Sequence, residues 1–154
     1  MKTNKQYIEL SKKTAAEKAV EFIEDRMIIG LGTGSTAEYA IKKIAEKNLN
    51  IVAIPTSRGT EKLAEKLRIP LAKMNEYGEI DMDIDGADEV DPEFNLIKGG
   101  GGAHTREKRI AERSKKFIVI VDSGGYRERD LLKEKTRDHH CGLWYGGKDT
   151  KKKK

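Results

Sequence analysis

Apolar residues recur along this chain in two alternating rhythms. Ala16, Ala19, Val20 and Ile23 fall at helical spacing and predict an amphipathic helix over residues 5–24. Residues 27–31 (MIIGL) then form a short, nearly continuous apolar run. Helical spacing returns at Ala37, Ala40, Ile41, Ile44 and Ala45, and residues 51–54 (IVAI) make a second short run. Ser57 is placed to cap a helix reaching about Leu67. Residues 69–72, 82–84 and 117–121 (FIVIV) complete the predicted strands, and a helix through Ile110 and Ala111 precedes the last of them.

Strands that alternate with helices of about 10–15 residues imply βαβ units and a parallel sheet. The unbroken apolar character of MIIGL, IVAI and FIVIV fits strands covered on both faces. In such sheets ligands bind beyond the carboxyl ends of the strands. Three segments rich in glycine or aspartate occur there, so each is a candidate for chemistry.

Charge alters this picture mainly at the end of the chain. The 154 residues suffice for one domain with a real core, and the net charge is +5. Lys+Arg and Asp+Glu counts are 21 and 21 up to Gly125, but 10 and 5 from Tyr126 onward. The body is therefore neutral and gives no electrostatic case for nucleic acid. A composition boundary is expected near residues 122–126, with a basic, disordered tail over 123–154. No apolar run reaches the roughly 18–20 residues needed to cross a bilayer. The first ten residues, MKTNKQYIEL, lack a signal-peptide core, and the single cysteine, Cys141, has no internal partner. A cytoplasmic protein without membrane partners is expected.

The first chemical segment is GLGTGST, residues 30–36. Glycines permit a sharp turn and close approach of amides to an anion, Ser35 and Thr36 add hydroxyls, and a helix N-terminus adds its dipole. The dinucleotide fingerprint fails, because Ser35 holds the place of its third glycine and no ribose-binding acid ends the IVAI run. A glycine turn without a ligand remains the plain alternative. The second segment is DIDGADEVDP, residues 83–92, where Asp85 and Asp88 flank Gly86-Ala87. Two carboxylates across a tight turn can converge on sugar hydroxyls. The oxygen spacing of a calcium loop is absent, so no metal is expected; a solvated acidic turn is the alternative. The third is NLIKGGGGAHTREK, residues 95–108. Four glycines, costly to immobilise, suggest a backbone that passes close to a ligand and aims amides at developing negative charge. Lys98 precedes the run. Thr105 is a plausible N-cap that would put Glu107 in a first helical turn, where it can serve as a general base.

Taken together, the order GTGST, DGADE, IKGGGGAxTREK and FIVIVD closely resembles the type A ribose-5-phosphate isomerases over about residues 5–122. The resemblance implies a Rossmann-like α/β fold, a mostly parallel sheet with helices on both faces. It also implies interconversion of D-ribose 5-phosphate and D-ribulose 5-phosphate through an enediolate, with no cofactor and no metal. Carried over residue by residue, it makes Glu107 the base, Asp85 the ring-opening acid and Asp88 its partner. Lys98 stabilises the enediolate together with amides of Gly99, Gly100 and Gly101. Thr33, Gly34, Ser35 and Thr36 form the substrate loop, with Ser35 and Thr36 beside the phosphate. Lys12 binds phosphate, although Lys13 adjoins it.

The chain departs from that family in three places. His104 stands where the family usually has an apolar residue. After Asp122 the resemblance is expected to stop, with Gly125 at the position of a substrate-binding lysine. The family's later strands and small α+β domain, which contributes to its homo-oligomers, have no counterpart, as in a truncated or frame-shifted member. The string Asp138-His139-His140-Cys141 matches a membrane acyltransferase signature without its context and is taken as chance. The expected function is an isomerase of pentose phosphates; the alternative is a catalytically impaired sugar-phosphate-binding module of the same fold.

Overall fold

The alternating runs fold as a layered α/β unit. The structure is a computed structural model, and it describes residues 3–92 and 95–122 together with the backbone of 142–147. Helix α1 (Asn4–Val20) begins with a reciprocal cap between Thr3 and Gln6. It is followed by β1 (Ile28–Leu31), α2 (Ser35–Lys47), β2 (Val52–Pro55), α3 (Arg58–Lys66) and β3 (Ile80–Gly86). A small antiparallel pair, β4 (Glu89–Val90) and β5 (Leu96–Ile97), precedes α4 (His104–Arg113) and β6 (Ser114–Val121). Residues Gly142–Gly147 form β7.

The main sheet has the order β2-β1-β3-β6-β7. Its first four strands are parallel, and β7 runs antiparallel to β6. The strands that carry site residues, β1 and β3, are therefore interior. Strand β3 is two-faced. Met82 and Ile84 join Ile29 and Leu31 in the main core with Ala15, Ala16 and Ala19 of α1 and Ala40, Ile41 and Ile44 of α2. The other face turns toward α4, whose Ile110 packs in a second cluster with Ile54 and Ile80. Helices thus cover both faces, as expected.

Several local expectations need correction. The first helix ends at Val20, yet Ile23 beyond it is still 5% exposed and packs in the core. The strand expected at 69–72 shrinks to one bridge, Ala53↔Leu71. Pro70 has no amide to donate, and the ladder can use only its carbonyl, which accepts from Ala53 at 2.8 Å. Thr105 is not an N-cap: α4 already starts at His104, with Ala103 at the cap position and no side-chain cap bond. The tail is not structureless throughout. Leu143-Trp144-Tyr145 is a β-prone run, and the open edge of β6 offers it a ladder from Lys116↔Gly147 to Val121↔Gly142. Ser123 to Cys141, including Gly125 and Asp138-His139-His140-Cys141, and the terminal lysines lie outside the described residues.

Candidate active site

A cleft of about 350 Å³ opens beyond the carboxyl ends of β1, β3 and β6. Eleven of the twelve residues expected at the site line it, from Lys12 through Thr33–Thr36 and Asp88 to Lys98–Gly101 and Glu107. The twelfth, Asp85, lies beneath the surface with 1% exposure.

Asp85 ends the interior strand β3 and is held from three sides. Its Oδ1 accepts from the amides of Thr33 at 3.0 Å and Gly86 at 2.7 Å, and its Oδ2 accepts from Lys98 Nζ at 2.9 Å. Gly32 makes this possible: a Cβ there would lie 2.1 Å from Asp85 Oδ1 and 2.5 Å from its Cα. The glycine of β1's exit is therefore required by a carboxyl of β3, a different task from cradling an anion. Lys98 also donates to the carbonyl of Gly86 and stands 5.8 Å from the ring centroid of Phe117. Its Nζ is 3.9 Å from Glu107 Oε2.

Glu107 lies in the first turn of α4, as the pattern predicted, but it is buried at 5% exposure and its Oε2 has no hydrogen-bond partner among the described residues. Burial raises its proton affinity. The negative charges of Asp85 and Asp88 add to this, while Lys98 and His104 oppose it. Burial likewise raises the pKa of Asp85, against the pull of Lys98 and the two amides. A carboxyl raised from its ordinary value beside a fixed ammonium is suited to proton transfer.

Asp88 lines the same cleft, and one of its oxygens is already engaged. Its Oδ2 accepts from the Gly100 amide at 2.8 Å, so it clamps the glycine run. Within that run the Gly102 amide donates to the Gly99 carbonyl, and both residues have positive φ (75° at Gly102 and 98° at Gly99). Two of the four glycine amides are thus occupied internally rather than aimed at substrate. His104 packs its Cβ on Gly99, where an added Cβ would lie 2.7 Å away.

The opposite end of the cleft suits an anion. Gly34, at φ 109°, turns the chain into α2 without a side-chain cap, leaving the amides of the first turn open. Lys12 reaches this end from α1, paired at 2.9 Å with Glu9, whose other oxygen accepts from Tyr39 at 2.7 Å. Lys13 does not line the cleft, and its side chain is 58% exposed.

Sequence reasoning passed over a buried hydroxyl network under the loop. Thr56, fully buried, donates to the Leu31 carbonyl at 2.9 Å and accepts from Thr33 Oγ1 at 2.8 Å. Thr60 donates to the Gly32 carbonyl at 2.8 Å. Isolated threonines carry no spacing signal, so only the fold reveals that β2 and α3 hold the loop in place. Gly86, Ala87 and Asp122 also line the cleft without having been assigned to it.

Comparison with known proteins points to one family. Residues 52–135 match the family model described as ribose 5-phosphate isomerase A (phosphoriboisomerase A). That match runs thirteen residues beyond Asp122, where the resemblance was expected to stop. Ribose-5-phosphate isomerase A of Desulfatibacillum aliphaticivorans is 57% identical over 116 residues, covering 72% of this chain and 50% of the relative. Probable ribose-5-phosphate isomerase 2 of Arabidopsis thaliana is 55% identical, covering 72% of this chain and 44% of its own length. A solved D-ribose-5-phosphate isomerase in complex with phospho-erythronic acid superposes with a TM-score of 0.76 at 49% identity, over 78% of this chain and 55% of that one. The chain spans about half the length of the curated relatives it matches. With more than half of its residues matched by the family model, the chain belongs to the ribose 5-phosphate isomerase A family.

Proposed function

We propose that this chain is an aldose–ketose isomerase that interconverts D-ribose 5-phosphate and D-ribulose 5-phosphate. The observation that carries this reading is a buried Glu107 whose unpartnered oxygen stands 3.9 Å from Lys98, facing a cleft whose far end is an uncapped helix N-terminus with Lys12.

The dianionic phosphate sits at the α2 N-terminus with Ser35, Thr36 and Lys12, which orients the sugar from a group remote from the reacting carbons. Asp85 exchanges hydroxyl protons as the ring opens. Glu107 removes the proton from C2 of the open-chain aldose. The C2–H electrons form the C1–C2 double bond and charge moves onto O1. Lys98 and amides of the glycine run, such as those of Gly99 and Gly101, stabilise that oxyanion. Transfer of the O2 proton to O1 and return of the carbon-bound proton from Glu107 to C1 give the ketose. The phospho-erythronic acid held by the related structure combines a phosphate with a carboxylate. In the proposed mode the phosphate would take the α2 end of this cleft and the carboxylate the end with Lys98.

No step of this scheme calls for a metal or an organic cofactor. Among the described residues no helix is long and apolar enough to cross a membrane. A pentose-phosphate isomerase would work in the cytoplasm, and residues 12–122 supply every group the scheme uses. The test is Glu107→Gln with ribose 5-phosphate as substrate. Turnover should fall by roughly 10²–10⁴-fold, while binding of the phosphate ester stays near normal. Equal loss of turnover and binding would show that Glu107 is structural, and absence of turnover in the unaltered chain would leave only a sugar-phosphate-binding module.

A further inference from the structure

The strand that ends in Asp85 carries a second carboxyl on the same face, and the scheme above does not use it. Asp83 is fully buried, and neither of its oxygens has a hydrogen-bond partner among the described residues. In the sheet it lies between Gly30 of β1 and Phe117 of β6. A Cβ on Gly30 would meet both Asp83 Oδ1 and Ile110 Cγ2 at 2.5 Å. The Asp83 carboxyl therefore occupies a slot floored by a glycine and roofed by α4. Glu107 lies one turn before Ile110 on that helix, and Asp85 lies one pleat further along the strand.

The charged groups that act on Asp83 are Asp85 from its own strand, Glu107 from α4 and Lys98 from the segment after β5. At the paired register β1 presents Gly30 and β6 presents Phe117, neither of which titrates. Asp81, the other acid on this face of β3, is occupied by the Ile28 amide and Lys115, both at 2.9 Å. Three carboxyls, Asp83, Asp85 and Glu107, thus depend on one ammonium. An ionised carboxylate with no partner in a dry slot is strongly unfavourable and takes up a proton instead. Burial, followed by repulsion from Asp85, drives the proton affinity of Asp83 well above the ordinary range.

We propose that Asp83 is a positioning residue that carries a proton in the working enzyme and so reserves the charge of Lys98 for Asp85 and Glu107. This rests on the isomerase reading, but the protonation of Asp83 can be tested apart from it. If Asp83 ionised, Lys98 would be shared among three anions. Glu107 would then hold its proton more tightly, and the enediolate would form next to an additional negative charge. Loss of the Asp83 proton at alkaline pH should therefore depress turnover.

The test uses Asp83→Asn, which keeps the shape and cannot ionise, and Asp83→Ser as a smaller neutral replacement. Infrared difference spectra of the ligand-free proteins at neutral pH should show the carbonyl stretch of a protonated carboxylic acid in the unaltered protein and its loss in either variant. That measurement needs no turnover. If the band is absent from the unaltered protein, or neither substitution diminishes it, the proposal is overturned whatever the activity. Profiles of kcat against pH test the functional half. The decline from neutral to alkaline pH should be several-fold smaller in the variants than in the unaltered enzyme. Superimposable profiles would overturn the positioning role. A band that behaves as expected in a chain without turnover would instead count against the isomerase reading alone.

Discussion

Replacing Lys98 with methionine keeps the stem and removes the ammonium on which Asp85 and Glu107 both depend. The substitution breaks the 2.9 Å ion pair with Asp85 Oδ2 and the bond to the Gly86 carbonyl, and it takes away the cation 3.9 Å from Glu107 Oε2. Asp85 keeps its two amide bonds, but its side chain is only 1% exposed. Stranding one partner of a buried pair costs roughly 3–5 kcal/mol when the remaining charge persists. Asp85 can escape by taking up a proton. From the ordinary value of 3.8, neutralising it near neutrality costs about 4 kcal/mol, at about 1.36 kcal/mol per pH unit. Burial already raises its proton affinity, so the true cost is smaller. The expected destabilisation is therefore about 2–4 kcal/mol near neutrality. Its pH dependence has a definite sign. In the variant, folded Asp85 holds its proton more tightly than the unfolded chain does. Stability is then lost as pH rises from the ordinary carboxylate range up to the folded-state pKa. Urea unfolding of both proteins at about pH 5, early in that rise, and at about pH 8 should give a larger stability difference at the higher pH. A difference that is equal at both pH values, or larger in acid, would refute the claim that Lys98 neutralises a buried Asp85. Turnover should fall at least ~10²–10³-fold, because a donor to the oxyanion is removed as well.

Three further outcomes follow from the same geometry. Gly32→Ala should lower the melting temperature more than Gly34→Ala. The first places a Cβ 2.1 Å from Asp85 Oδ1, whereas the second meets nothing within 4 Å and bears only the backbone strain of φ 109° and ψ 170°, about 1–3 kcal/mol; the reverse order in thermal melts would refute the steric account. Thr56→Val removes two buried hydrogen bonds and should cost about 1–3 kcal/mol, raising KM for ribose 5-phosphate more than it lowers kcat; Thr56→Ser should restore both, and failure to do so would tie the effect to the methyl group. Because burial raises the pKa of Glu107, the acid limb of kcat against pH should lie above the ordinary glutamate range, and Lys98→Met should move it higher still, since the opposing charge is gone. An acid limb at the ordinary glutamate value, or one that Lys98→Met leaves in place, would argue against Glu107 as the base.

Much of this site was readable from residue order because the chemistry sits where strands end, and strand ends are marked by changes in hydrophobic period. Where the readings fell short, the cause lies in contacts between distant segments. Asp83 was absorbed into an apolar run over 82–84, although Ile80, Met82 and Ile84 alternate with Asp81, Asp83 and Asp85; that alternation was visible and marked a second, polar face. The bond that Asp88 accepts from the Gly100 amide is not visible in the sequence, because it depends on how a loop twelve residues away folds back. The helix start at His104 follows from the glycine run, which delivers Ala103 at the cap position and makes Thr105 unnecessary there. The 142–147 strand escaped a reading based on charge composition, which describes the tail as a whole and not the β-prone run within it.

The two glycines of β1 and its exit join these strands into a single argument about fold and function. Gly30 and Gly32 leave room on the α4 side for the carboxyls of Asp83 and Asp85, while Ile29 and Leu31 between and before them fill the opposite core. The observed register meets both demands, with Gly30 opposite Asp83 and the Gly32 amide bonded to the Ile84 carbonyl at 2.8 Å. A slip of one residue would turn Met82 and Ile84 toward the slot and the aspartates into the apolar core. The pairing that buries the hydrophobic face is thus the same pairing that places Asp85 beneath Lys98 and Glu107. Any substitution that weakens this register must act on stability and on the proposed chemistry together, whereas changes at Ser35, Thr36 or Lys12, on the far side of the cleft, would test the proposed phosphate contacts and leave the sheet intact.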